Sequence, residues 1–192
     1  MSEDISGILK SAAAAARPVV DGLDEAHFGD PTPCAEYGVK DLLNHLFLVV
    51  VNFQVLATGA GADFSTTPDR LTGDWRGEFG AETERLVAAW SAPEALEGVS
   101  AGMGLPQPVV ARMALLDLTL HAWDLARATG QDYAPDADAV DELLEFLVMM
   151  APMARENGML GEPVEVSADA PAFDRLLAGS GRDPRWSGRP IE

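Results

Sequence analysis

The chain has few basic residues, one cysteine and no long apolar run, and each shortage excludes a class of protein. Only 13 lysines and arginines face 31 acidic residues, which gives a net charge of −18. Nucleic acids and anionic membrane surfaces both need clustered positive charge, so we expect neither as a partner. The single cysteine, Cys34, excludes an internal disulfide and fits a reducing cytosol. The apolar run from Leu46 to Val51 is far shorter than the ~20 residues of a membrane span.

What the sequence does contain is typical of one globular domain. The 192 residues are 47% hydrophobic, which is enough to bury a sizeable core. The first residues include Glu3 and Asp4, where a secretion signal would carry basic residues. We therefore predict a soluble, cytoplasmic protein.

Apolar residues recur with a helical period in long segments, and strand-like alternation is nearly absent. Because Pro18 lies inside the first segment, we expect a kink or break near Arg17. The glycine-rich and proline-rich stretch from Pro93 to Pro108 predicts a loose connection. The pattern predicts an all-α antiparallel bundle, with helices over about residues 3–26, 39–58, 75–91, 109–129 and 136–154.

The residues after the fifth helix differ in character from the bundle. We predict a helical bundle over residues 1–160, followed by a short C-terminal extension, 161–192, that packs on it. Within the extension, Pro171 to Ala178 predicts a short helix, and Gly181 to Pro184 predicts a turn. A homodimer is compatible with this apolar bundle, although no heptad seam is visible.

One pair of residues suggests a functional site. Asp117 and His121 are four positions apart in the fourth helix, so their side chains lie on the same helical face. Taken alone, such a pair is more typical of a histidine that bonds its neighbouring carboxylate or a backbone carbonyl. A second histidine, His45, lies among leucines in another helix. Two histidines and a carboxylate that project into a bundle would make a three-ligand metal site with room for a substrate.

The donor set does not select one metal, since zinc, nickel and iron all accept imidazole and carboxylate ligands. Asp41 also precedes a histidine by four positions, but it falls in the first turn of its helix, where an acid is expected for electrostatic reasons. His27 is interpreted as a surface or capping residue. Cys34 has no histidine or basic neighbour in sequence, which disfavours a nucleophile. The sequence contains no phosphate-binding loop, dinucleotide fingerprint, cysteine-pair zinc motif or nucleophile elbow.

Three segments together resemble a known family. Residues 32–46 read TPCAEYGVKDLLNHL, residues 121–130 read HAWDLARATG, and residues 169–178 read DAPAFDRLLA. With the turn from Gly181 to Pro184, they resemble the mycothiol-dependent maleylpyruvate isomerase N-terminal domain family, in its actinobacterial form. That family belongs to the DinB-like metal-binding four-helix bundles.

The resemblance implies a DinB-like four-helix bundle with an additional helix. It also implies a divalent metal, most often zinc, held by His45, Asp117 and His121. Asp117 stands where the family's isomerase has glutamate. The implied activity is that of a metal-dependent transferase or isomerase that uses a small-molecule thiol, mycothiol, and an electrophile.

Two other functions are compatible with the same residues. The protein could be a non-catalytic metal-binding or ligand-binding module, for example in a stress response. It could also be a bundle that has kept the fold and lost the metal. Fold alone does not separate these alternatives.

Overall fold

The computed structural model describes residues 5–188, which form helices and the segments that connect them. The helices are α1 (Ile5–Asp21), α2 (Val39–Ala57), α3 (Trp75–Trp90), α4 (Gln107–Thr129), α5 (Ala137–Glu156) and α6 (Ala172–Gly179). Within the described range there is no β-strand, and the β-bridges Pro31–Gly38 and Val99–Pro106 are isolated. The predicted all-α class is confirmed.

Helices α1 to α4 form the bundle. Both α1 and α2 pack against α3 and against α4. The largest fully buried side chains of this core are aromatic, namely Trp75, Trp90, Phe47, Phe53 and Phe79. His45, near the start of α2, contacts His121 in the second half of α4. Gln107, at the start of α4, donates its side-chain amide to the carbonyl oxygen of Leu56, near the end of α2. The two contacts together show that these helices run antiparallel, as the bundle prediction requires.

The first helix ends earlier than predicted, and its predicted start near residue 3 lies outside the described residues. It continues through Pro18 and ends at Asp21, where the sequence pattern indicated a helix as far as residue 26. A separate 3₁₀ turn, Glu25–His27, follows, and the side chain of Asp24 caps it. Leu23, between the two, is buried and only 1% exposed. Because Leu23 packs into the core from the connection, the apolar pattern extends past the end of the helix.

Helix α2 is strongly apolar and forms part of the core. An 18-residue stretch of α2 is long and apolar enough to cross a membrane, but 67% of that stretch is buried inside the bundle. A core helix of a globular protein has the same features. Its position in the bundle places His45 beside α4.

Helix α4 supplies the second side of the candidate site. It begins at Gln107, two residues earlier than predicted. Pro108 fits this first turn because an N–H group there would have no partner inside the helix. The helix ends where predicted, at Thr129, and Gly130 caps it with a φ of 68°, the left-handed conformation that glycine adopts readily.

The C-terminal segment folds back over α5. Helix α6 packs on α5, and Arg155 of α5 donates to the carbonyl oxygens of Gly161 and Gly179. Gly181 has a φ of +91°, and a Cβ atom there would lie 2.7 Å from the Cα of Gly161. Only glycine therefore lets the two backbone segments meet at this point. The contact sets the position of the next residue, Arg182.

Candidate metal centre

A short loop before α2 brings Cys34 and Tyr37 to the site. The bridge between Pro31 and Gly38 closes this loop. The buried hydroxyl of Thr32 lies 3.0 Å from the carbonyl oxygen of Cys34 and 2.8 Å from that of Tyr37. A single side chain thus fixes the path of the loop, which is how the local sequence presents Cys34 and Tyr37 beside α2.

His45 is held in its neutral form by its surroundings. It is half-buried on α2, and its ring stacks on Tyr37 with the centroids 5.0 Å apart and the planes 20° apart. Burial, followed by the nearby His121, lowers the pKa of His45 to about 4. At neutral pH the imidazole is therefore uncharged, which is the form that binds a metal.

The structure brings together the two histidines predicted for the site. The ring centroids of His45 and His121 are 5.0 Å apart, and the planes are nearly perpendicular at 88°. His121 is 7% exposed. The contact joins α2 to α4 and depends on the antiparallel packing of these two helices.

Asp117 lies one helical turn before His121 on α4, as predicted. The residue is half-buried. The protein groups packed around its carboxyl group exclude water, and this burial raises its pKa. The charges of His121 and Arg182 oppose this shift. None of the described residues donates a hydrogen bond to this carboxylate. A carboxylate in such surroundings would be stabilised by a bound cation.

His121 does not bond to Asp117, the partner suggested by the simpler reading of the sequence. Its Nδ1 atom lies 3.0 Å from Oδ2 of Asp124, three residues later on the same face. Asp124 is fully buried and also pairs with Arg182, whose Nε donates at 2.9 Å and whose terminal nitrogen donates at 2.8 Å. Because an ionised carboxylate only accepts, Nδ1 carries the hydrogen, and Nε2 of His121 remains free to act as a ligand.

The charge of Asp124 is maintained by its partners. Burial alone would raise the pKa of this carboxyl group, but Arg182 and His121 together outweigh that effect and hold the pKa below its usual value. Burial likewise opposes the charge of Arg182, while Asp124 raises the pKa of the guanidinium group. Both members of this buried pair, Asp124 and Arg182, are therefore charged.

A second arrangement of metal donors lies in the same place. Cys34, His121 and Asp124 each offer a donor atom, and these atoms lie within 4.8 Å of one another. The set His45, Asp117 and His121 is not among the groups that meet this limit within residues 5–188. Two features disfavour the cysteine-containing group, however. Arg182 already neutralises Asp124, and burial, with the charge of Asp124, raises the pKa of the Cys34 thiol to about 11.

The sequence interpretation did not include Cys34, Asp124 and Arg182 in the site. Asp124 had a usable signal, since a spacing of three also places it on the face of His121. The other two carried no local signal, because the loop before α2 and the turn after α6 reach the site only in the folded chain.

The three predicted ligands have the chemistry that a divalent metal requires. His45 is neutral. Within residues 5–188, Nε2 of His121 has no hydrogen-bond partner and the carboxylate of Asp117 accepts no hydrogen bond. Imidazole and carboxylate donors suit zinc, nickel and iron alike. Ligation by this set stays a prediction.

Comparison with known proteins shows the family of this chain. The profile of the mycothiol maleylpyruvate isomerase N-terminal domain matches residues 9–126. Two proteins of Mycobacterium tuberculosis, one from strain CDC 1551 and one from strain H37Rv, are each 31% identical to the chain over 172 residues. Each alignment covers 82% of this chain and 86% of the relative, and both relatives are described as uncharacterized. No solved structure was found to match. The chain belongs to the mycothiol maleylpyruvate isomerase N-terminal domain family.

Proposed function

We propose that the protein binds one divalent transition-metal ion, preferably zinc, through His45, Asp117 and His121. One observation above all supports this proposal: two histidines from different helices meet with their ring centroids 5.0 Å apart. A carboxylate one turn from one of them completes a common metal-ligand set. Such a set leaves coordination positions for water or a substrate.

The orientation of His121 adds support. Metal-binding histidines commonly donate their other ring N–H to a carboxylate, which fixes the tautomer and aims the free nitrogen. Asp124 provides that acceptor at 3.0 Å.

We further propose that the site uses a low-molecular-weight thiol, with mycothiol as the first candidate because the family's name includes it. A bound divalent metal lowers the pKa of a coordinated thiol and so supplies a thiolate at neutral pH. Tyr37 and His45, which stack on each other, would form one wall of the space beside the metal and restrict the approach of an electrophile.

The reaction class is thiol transfer or thiol-dependent isomerisation. In a transfer by addition, the S–H bond and the π bond of an activated alkene break, the sulfur bonds to one alkene carbon, and the proton ends on the other. In an isomerisation, the thiolate adds to one alkene carbon, the resulting single bond rotates, and the thiolate leaves again as the double bond re-forms, so that no thiol is consumed.

Metal analysis tests the binding part of the proposal. Protein purified without a histidine tag and incubated with zinc or nickel should hold close to one equivalent. His45→Ala and His121→Ala should each remove it. His27→Ala is the matched control, because His27 pairs with Asp30 outside the site and should leave binding unchanged. Less than about a tenth of an equivalent in the wild type would indicate a bundle that has lost its metal.

Thiol conjugation tests the catalytic part. The metal-loaded protein is mixed with mycothiol and a panel of electrophiles, and loss of free thiol is followed against glutathione and against His121→Ala. A rate that requires both mycothiol and His121 supports an enzyme. Stoichiometric metal without such a rate would support a non-catalytic binding module.

A further inference from the structure

We infer that Arg182 is a positioning residue of the metal centre: through Asp124 it fixes the ring of His121, so the C-terminal segment completes the site. This inference rests on the proposed function, since it concerns how the proposed ligands are oriented. The family profile ends at residue 126, so it does not include Arg182.

The contacts form one continuous chain of hydrogen bonds. Arg182 donates Nε to both oxygens of Asp124, at 2.9 and 3.1 Å, and a terminal nitrogen to Oδ2 at 2.8 Å. The same Oδ2 faces Nδ1 of His121 at 3.0 Å. The side chains of Arg182 and Asp124 are 10% and 0% exposed. Water therefore competes little for these bonds, and the guanidinium group determines where the carboxylate lies.

The geometry of the network explains why a guanidinium group is needed behind the histidine. Arg182 bonds both oxygens of Asp124, so it fixes the orientation of that carboxylate. A terminal nitrogen of Arg182 also lies 3.5 Å from Nδ1 of His121. Without Arg182, the carboxylate could turn about its side-chain torsions, and its bond to Nδ1 would no longer fix the ring.

The backbone around Arg182 is built to hold it in place. Gly181 approaches Gly161 so closely that a Cβ atom at position 181 would lie 2.7 Å from the Cα of Gly161. Arg155 bonds the carbonyl oxygens of Gly161 and Gly179, on either side of this contact. The segment is thus fixed from α5, independently of any metal.

The first experiment compares two arginine variants that both affect the tail. Arg182→Met removes the bond to Asp124. Arg127→Met is the matched control, because Arg127 donates to the carbonyl oxygens of Pro184 and Trp186 and does not touch Asp124. Zinc affinity is measured by competition with a chelator. We expect Arg182→Met to weaken binding by about 10-fold to 100-fold, as for other residues behind a metal ligand. Arg127→Met should stay within about twofold of the wild type, far below that loss. Equal losses in both variants, or no loss in Arg182→Met, would overturn the inference.

The second experiment measures the position of the histidine ring in metal-free protein. Proton NMR detects a through-space contact between the rings of His45 and His121, whose centroids are 5.0 Å apart. We expect this contact to weaken or disappear in Arg182→Met and to persist in Arg127→Met. A contact of wild-type strength in Arg182→Met would overturn the inference. This result is independent of metal binding, so it still decides the role of Arg182 if the wild type takes up no metal and the proposed function fails.

If Arg182→Met does not fold, the double variant Asp124→Asn, Arg182→Met replaces it, because it leaves no buried unpaired charge. It should fold and bind zinc more weakly than the wild type, since an amide can turn either its oxygen or its nitrogen toward His121. Wild-type affinity in the folded double variant would overturn the inference.

Discussion

Removing Arg182 should destabilise the protein far more than removing a surface arginine. Arg182→Met leaves Asp124, which is 0% exposed, with a charge and no cationic partner. Removing one member of a buried ion pair typically costs about 3–5 kcal/mol. Asp124 retains the hydrogen bond from His121, so we place the loss at the lower end, about 3 kcal/mol. For a chain of this size that corresponds to a fall in Tm of about 6–12 °C.

Calorimetry of the metal-free protein at pH 7 measures this loss. The double variant Asp124→Asn, Arg182→Met is the comparison, because replacing both members of a buried pair is often close to neutral. Arg185→Met is the surface control, since Arg185 pairs with Asp183 while 78% exposed and should change stability by less than about 1 kcal/mol. A loss below about 1 kcal/mol for Arg182→Met, or a double variant as unstable as the single one, would refute the reasoning.

The same pair predicts a pH dependence. The pKa of Asp124 is lowered in the folded protein, so its contribution to stability is fully present above the unfolded-state pKa of about 3.9. That contribution is lost as the pH falls through the folded-state pKa. The difference in the free energy of unfolding between wild type and Arg182→Met should therefore shrink below about pH 4. A difference that grows with acidity would contradict the assignment of the charge to Asp124.

Two further predictions concern the loop cysteine and the tail glycine. Because the pKa of Cys34 is raised from 9.0 to about 11, alkylation by iodoacetamide at pH 8 should be about 100-fold slower in folded protein than in urea, and equal rates would contradict the raised pKa. Gly181→Ala should destabilise the protein by more than Gly104→Ala, measured by urea unfolding. Both glycines have positive φ, but only Gly181 would place its Cβ against backbone, so equal losses would contradict the packing of Gly161 on Gly181.

The helices could be predicted from sequence because their boundaries are set locally. The predicted end of α4 at Thr129 is correct, since Gly130 supplies a left-handed cap that the sequence shows directly. The apolar pattern predicts an end of α1 at residue 26, five residues beyond the observed end at Asp21. Leu23 continues the apolar pattern there because it is buried from a connection, and periodicity does not distinguish the two cases.

The site could be predicted only in part, for a geometric reason. Spacing places both Asp117 and Asp124 on the face of His121, one turn before and one turn after it. Sequence alone favoured Asp117 as the partner, but the hydrogen bond goes to Asp124. Arg182, near the C-terminal end of the described chain, bonds Asp124 and holds its carboxylate beside the ring of His121. This contact explains why His121 pairs with Asp124 and not with Asp117. Contacts of this kind depend on how the tail folds back, and no local pattern encodes them.

The contact between His45 and His121 could be predicted in part from the sequence. Each histidine sits among leucines, so both were expected on buried faces, and the antiparallel packing of α2 and α4 then brings them together. The position of Cys34 beside these two histidines could not be predicted from the sequence, because it depends on a loop whose path is set by the hydroxyl of Thr32.

Zinc-edge X-ray absorption of the zinc-loaded wild-type protein, without added thiol, tests the proposed ligand set most directly. Ligation by His45, Asp117 and His121 predicts only nitrogen and oxygen neighbours, at about 2.0–2.2 Å. Adding mycothiol should then introduce one sulfur neighbour at about 2.3 Å. A sulfur neighbour in the protein alone would assign the metal to Cys34 and contradict the account.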